Sequence, residues 1–522
     1  MKGEYKMGCY RPKGAITVFL SLVSVLFLSL ICTLAESART QGARVKAEAV
    51  LNMGLFSVFG EYEKKLLKQY DVLFLDGAYG SGAYHTDKVR LRMEDFMSYN
   101  INPGKGFSGS TFDPLKLQLE ESDIKGIVLT TDEKGEPFYQ QAVTFMKDNL
   151  GTEILNKLKT DSDKAKEQEE AQKLYEKSDQ NNVKQLEDLK KQEEERIEQE
   201  KQEAENNSSD AQTDAEMPGT PEEVPAPVEN PLEIIKKVKE MGILALVLKD
   251  PDSLSQKAVD LSSVPSGRSL EKGNLPIIKE QSGLSGDVLF QEYLLEHFSY
   301  MTDQKKEGAL DYQLEYILCG KGSDQENLKG VVNRLLLLRE GSNFLYALSN
   351  QEMQAQAGAL AAAIVGVFAV PGLVTVTKMA LLLAWAYGES LLDVRTLLSG
   401  GKVALEKTAD TWKLSLENLG RITELLQEDG NSDQKGLTYP EYLRMLLFTG
   451  KKAQYPMRGL DLIEANLRME DSTKNFRADA CIDQIKVNTR WTIPPLFMKV
   501  SGAFMGVGGE TGKYEAEGSF SY

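Results

Sequence analysis

Glu389 and Asp393 lie four residues apart in an apolar segment that opens with Trp385, so a helix there would carry both carboxylates on one face. Paired carboxylates of that kind can do general acid–base chemistry, one holding a proton while the other stays ionised. Arg395 follows on the same segment, and Glu315, Arg334 and Arg339 stand in nearby apolar segments. These arginines favour a structural reading, in which Glu315, Glu389 and Asp393 meet Arg334, Arg339 and Arg395 in partly buried ion pairs that fix helix register. An envelope hydrolase built on Glu389 and Asp393 would need both to line one open cleft. Burial of either against an arginine removes that option.

Other chemical signatures fail on spacing. His85 and His297 are the only histidines, and neither has metal-ligand spacing around it. Gly283-Leu284-Ser285-Gly286-Asp287 lacks the last glycine of a nucleophile elbow. Gly400-Gly401-Lys402 lacks both the upstream glycine of a P-loop and a hydroxyl residue after the lysine. Gly506-Val507-Gly508 has Thr511 in the third glycine's place and leads into a strand, not a helix. Asp429, Asn431 and Asp433 start like a calcium loop, but Gln434 and Pro440 hold the glycine and bidentate positions. Thr438, Pro440 and Glu441 read better as a helix N-terminus. No catalytic residue, metal or cofactor is expected.

The element that governs the rest is the uncharged run of residues 15–35, AITVFLSLVSVLFLSLICTLA. As a helix its 21 residues reach about 30 Å, the thickness of a bilayer's hydrocarbon core. Lys2, Lys6, Arg11 and Lys13 precede it against Glu4, which places the N-terminus in the cytoplasm and the bulk of the chain outside the cell membrane. Phe19, Leu22 and Leu26 are candidate packing residues of this single span. A cleaved secretory signal is the rival reading; against it, the run is long for a signal's apolar core and no clean A-x-A site ends it.

The chain of 522 residues is 41% hydrophobic, enough for a packed core, and its net charge of −17 argues against a nucleic-acid partner. Cys319 and Cys481 are the only cysteines beyond the leader and the span, so at most one internal disulfide is available there.

Past the span, Val45, Asn52, Phe59 and Leu66, with Gly42, Ala49, Phe56, Glu63 and Tyr70, form a helical-period stripe. It predicts one helix from 15 to about 68, a spine on which a soluble part packs. Asp71–Asp76, Leu115–Leu119 and Ile127–Thr130 read as strands, and Phe138–Leu158 as helix. Residues 159–205 are mostly charged and predict a solvated helix; 206–230 is rich in Pro, Glu and Ser and predicts disorder. The expected organisation is a leader at 1–14, a span at 15–35, a spine with a small α/β part at 36–158, a linker at 159–230 and an α+β domain at 231–522.

Within that last part, Leu232–Leu248 reads as helix then strand, the strand being Met241–Leu248. Ser323 and Glu326 form a capping box, and the chain ends in a strand at Tyr514–Tyr522. Gln354–Thr377 is uncharged but Ala- and Gly-rich, which favours a buried hairpin turning near Pro371, with partner helix Val376–Leu398, over a second span. The fold class is therefore α+β: a long N-terminal transmembrane helix continuing as an amphipathic spine, and extracytoplasmic helices packed with a small antiparallel sheet.

Several stretches together resemble a family. Lys13-Gly14-Ala15-Ile16-Thr17-Val18-Phe19 and Glu36-Ser37-Ala38-Arg39 look like the start of a domain-of-unknown-function family of Gram-positive bacteria. Asp311-Tyr312-Gln313-Leu314-Glu315-Tyr316-Ile317-Leu318, Lys321 with Asn327-Leu328, Trp385-Ala386-Tyr387, Asp393-Val394-Arg395 and Gly436-Leu437-Thr438-Tyr439 extend the likeness. That family resembles TadE/TadG-like pseudopilins associated with tight-adherence (Tad/Flp) pilus clusters.

The resemblance implies a lipid anchor and partners among other pilus or pseudopilin membrane components. It also puts Gly14 and Ala15 where pilin leaders are processed. Phe19 stands where such pilins carry glutamate, and no D-x-S-x-S adhesion motif is present. The expectation is an uncleaved accessory protein or minor pseudopilin, with an anchored cell-envelope binding or sensory protein as the alternative.

Overall fold

The computed structural model describes residues 14–101, 113–207, 230–279, 284–303, 307–365, 370, 372–427, 436–497 and 512–522. It is mostly helical with one small antiparallel sheet, as an α+β class requires. The chain divides into two compact units. One gathers Met1–Pro137, Leu270–Ile278 and Ser472–Tyr522; the other gathers Phe138–Ser269 and Lys279–Asp471. This corrects the expected division at 159–230, because the last strands of the chain return to the N-terminal unit.

In the first unit the spine helix runs unbroken over Ala15–Phe59. Gly60 ends it, and the chain restarts as a short helix, Lys64–Tyr70, with Glu63 accepting from the Lys65 N–H as its cap. The expected single helix to residue 68 is therefore two. Beside the spine lies the helix Thr86–Ile101, which buries Val89, Met93, Met97 and Ile101. The sheet comprises β1 (Leu75–Asp76), β2 (Gln118–Leu129), β3 (Cys481–Ile493) and β4 (Gly512–Ser521). β3 is central and antiparallel to all three, with Ile127 opposite Ile485, Phe520 opposite Ile485 on the other edge, and Leu75 opposite Ile482.

Three strand expectations change here. Asp71–Asp76 pairs only at its last two residues. Leu115–Leu119 and Ile127–Thr130 overlap the two ends of one strand, β2. The central strand β3 has no counterpart among the expected elements.

The spine turns Ala43, Ala47, Val50, Leu51, Leu55, Val58 and Phe59 into a core with Val487, Trp491 and Ala516. Small residues allow this approach: a Cβ on Gly518 would lie 3.0 Å from side-chain carbons of Leu51 and Leu55. The expected stripe is thus only partly the packed one. Phe59, Leu66 and Tyr70 are buried, but Gly42, Val45, Ala49, Asn52 and Phe56 face outward, with Val45 and Phe56 67% and 68% exposed. The sheet has taken the neighbouring face, which carries Ala43, Ala47, Val50, Leu51, Leu55 and Val58.

In the second unit Thr152–Asn207 is one helix, and its first half is core rather than solvated linker. Leu158, Ser162, Ala165, Ala171, Tyr175 and Asn182 are buried against Asp324–Ser349 and Leu373–Leu398. Asn182 Nδ2 donates to Val376 O at 2.8 Å. Alanine and serine make this seam, so low hydropathy concealed it. Past Asn182 Val183 is 48% exposed, and the described side chains up to Gln199 are exposed or intermediate.

Gln351–Val365 packs along Leu373–Leu398 as a helical pair, burying Met353, Ala357 and Ala361. Pro371 at the expected turn lies outside the described residues, as do most of 206–230 and the calcium-loop and dinucleotide look-alikes. Ile243–Val247 is helical where a strand was expected, with Leu246 and Val247 buried. Ser323 caps Asp324–Ser349, its hydroxyl accepting from the Glu326 N–H, and Thr438, the expected helix N-terminus, forms a reciprocal capping box with Glu441 before Tyr439–Thr449. Cys32, Cys319 and Cys481 are free thiols.

Candidate functional site

Two places bear most on the residues singled out by the sequence. The first is the foot of the spine. Among the described residues one helix is long and apolar enough to cross a membrane, and it is this one. Gly14 precedes it and Ala15 opens it. Phe19, Leu22 and Leu26 are 68%, 59% and 63% exposed, a surface suited to lipid or to other helices.

Just past the apolar run the helix becomes buried, at Glu36 and Arg39. Arg39 Nε donates to Glu36 Oε1 at 3.0 Å, Nη1 to Leu115 O at 2.7 Å and Nη2 to Pro494 O at 2.6 Å. Glu36 Oε2 accepts from the Leu496 and Phe497 N–H groups at 3.1 and 2.7 Å. An i,i+3 ion pair thus clamps the loops next to β2 and β3 onto the helix directly after the apolar run. The sequence signal was present, since opposite charges at helical spacing directly follow an uncharged run, but the loop carbonyls were not readable.

The second place is a buried charge network on the helices Asp324–Ser349 and Leu373–Leu398. Asp393 Oδ2 accepts from Arg339 Nε and Asn343 Nδ2, each at 3.1 Å. Arg339 also donates to Tyr442 Oη and Leu405 O. Lys407 Nζ reaches Glu389 Oε1 at 2.5 Å, Asp393 Oδ1 at 2.7 Å and Thr411 O at 3.0 Å. Glu389 Oε2 accepts from the Leu414 N–H at 2.8 Å. All four charged side chains are fully buried. Burial works to raise Asp393, but Lys407 and Arg339 outweigh it and hold the carboxyl below its ordinary range. Burial raises Glu389, with Lys407 offsetting part of the shift.

The expected carboxylate pair is therefore brought together, with Arg339 as anticipated and with Lys407, which no sequence signal marks. Lys407 sits in the loop Val403–Leu414, fourteen residues beyond Asp393, where no helical spacing links it to the pair. Neither carboxylate lines an open cleft, so a hydrolase built on them is withdrawn.

The other expected ion-pair residues are placed differently. Glu315 accepts from Tyr439 Oη at 2.7 Å and the Met301 N–H at 2.9 Å. Arg334 donates to Leu318 O at 3.3 Å. Arg395 is buried two residues beyond Asp393, while the ion pairs of Glu389 and Asp393 described above run to Lys407 and Arg339. His85 is exposed, and His297 Nδ1 lies 3.0 Å from Tyr293 O with its ring stacked on that tyrosine.

A family model described as a family of unknown function, DUF5702, matches residues 221–493, just over half of the chain. The chain belongs to DUF5702. No curated protein and no solved structure matches it. The DUF5702 match takes in the buried charge network and ends at Ile493, the last residue of β3. The spine helix lies outside it, as do Lys13–Phe19 and Glu36–Arg39. The family's description assigns no function.

Proposed function

We propose that this chain is a membrane-anchored, non-enzymatic accessory protein or minor pseudopilin of a Tad/Flp-type pilus or secretion apparatus, working by helix packing. The observation that carries the reading is the spine helix. Its first half is apolar and exposed, and its second half holds a folded unit on one face while leaving an apolar stripe free on the other. In this reading the span sits in the cell membrane once, with the N-terminus cytoplasmic and the bulk of the chain outside. Gly42, Val45, Ala49, Met53 and Phe56 receive helices of partner membrane components above the lipid. Small residues with a few large apolar ones suit close helix approach.

The test separates anchoring from assembly. Leu22→Asp should lose membrane retention and assembly of surface appendages together. Phe56→Asp should stay anchored and folded, because that side chain is exposed, yet lose assembly. Normal appendages in Phe56→Asp cells would overturn the proposal and favour an envelope binding or sensory protein outside any pilus.

A further inference from the structure

Lys407, Asp393 and Glu389 form a water-excluded trio whose chemistry reaches beyond an ion pair. The Nζ–Oδ1 separation of 2.7 Å brings the amine to about the 3–3.5 Å contact from which attack on a carbonyl carbon proceeds. Oδ2, the other carboxylate oxygen, already accepts from Arg339 and Asn343, donors placed where negative charge would develop in a tetrahedral intermediate. Glu389 Oε1 touches the same Nζ and can carry its protons.

We propose that Lys407 and Asp393 condense spontaneously into an internal amide, cross-linking the loop Val403–Leu414 to the helix Leu373–Leu398, with Glu389 as the proton carrier. The step balances without any outside reagent. The Lys407 ammonium gives one proton to Glu389, which passes it to Asp393 Oδ1, and the freed amine attacks Cγ of the carboxyl so neutralised. The Nζ–Cγ bond forms as charge gathers on Oδ2. Oδ1 then takes a second proton from Nζ, the Cγ–Oδ1 bond breaks, and one water leaves. One proton stays on the amide nitrogen. Two opposite charges vanish from the core, which relieves their desolvation, and the remaining Arg339 and Glu389 keep it neutral.

Peptide mapping of the full-length purified chain decides the matter. Trypsin should release a branched species joining Met379–Arg395 to Val403–Lys413, lighter by one water than the sum of the two and uncut at Lys407. Quantitative release of linear Met379–Arg395, Val403–Lys407 and Thr408–Lys413 would overturn the proposal and leave an ion-pair network only. Glu389→Gln, checked for native helix content by circular dichroism, should yield the linear set. A branched peptide at wild-type yield in that variant would overturn the role given to Glu389.

Discussion

Glu315 shows how a single side chain can couple this fold to pH. It is wholly buried, and its Oε2 has no hydrogen-bond partner among the described residues. Burial pushes its carboxyl up from 4.5 to about 7, with the Tyr439 hydroxyl and the Met301 N–H offsetting part of the shift. The unfolded chain therefore ionises first. Stability is fully present below about pH 4.5 and falls as pH rises towards 7, by an amount on the order of 3 kcal/mol from this group. Glu340, which burial raises to about 8, adds a loss of the same sign. Urea midpoints between pH 4.5 and 7.5 should decline, and Glu315→Gln, which keeps an acceptor for Tyr439, should flatten part of that slope. An unchanged slope in the variant would sink this account.

At the scale of elements, the seam between Asp324–Ser349 and Thr152–Asn207 depends on Gly341. A Cβ there would lie 2.5 Å from Gln172 N and 2.7 Å from Ala171 C, backbone atoms that cannot swing aside. Gly341→Ala should cost about 1–3 kcal/mol by overpacking, exceeding the roughly 1 kcal/mol that alanine gains in helix propensity. A thermal midpoint equal to or above wild type would contradict it.

This same seam shows what the sequence could and could not convey. The spine was legible from its uncharged run, and β4 from its alternation. The Thr152–Asn207 core face was not, because Ser162, Ala165 and Ala171 pack through closeness of backbones and not through large apolar groups. β3 was readable in principle, since Ile485, Val487 and Trp491 alternate with Lys486, Asn488 and Arg490, yet two of its three partners, β1 and β2, lie hundreds of residues away. At the candidate site the carboxylate pair followed from helical spacing. Lys407 did not, because a loop residue's position is set by tertiary folding.

For the whole molecule, the first unit is assembled from both ends of the chain. Removing Ser472–Tyr522 takes away β3, to which all three other strands pair, and with it Trp491 and Val487 from the spine's core. Truncation after Asp471 should therefore leave the first unit protease-sensitive while fragments of Phe138–Asp471 persist under limited proteolysis. Equal protection of both units in the truncated chain would refute the assignment of Ser472–Tyr522 to the first.

This arrangement also sets a clock on biosynthesis. The spine leaves the ribosome ahead of the sheet, and the strand packed most closely on it, β4, begins at Gly512, some 450 residues after Phe59. At ribosomal speeds of roughly 5–20 residues per second, the flank that faces the sheet waits on the order of 20–90 s for that strand. A holdase would have to bridge that interval. Prematurely terminated products would expose an unfinished first unit, a ready mark for quality-control proteases.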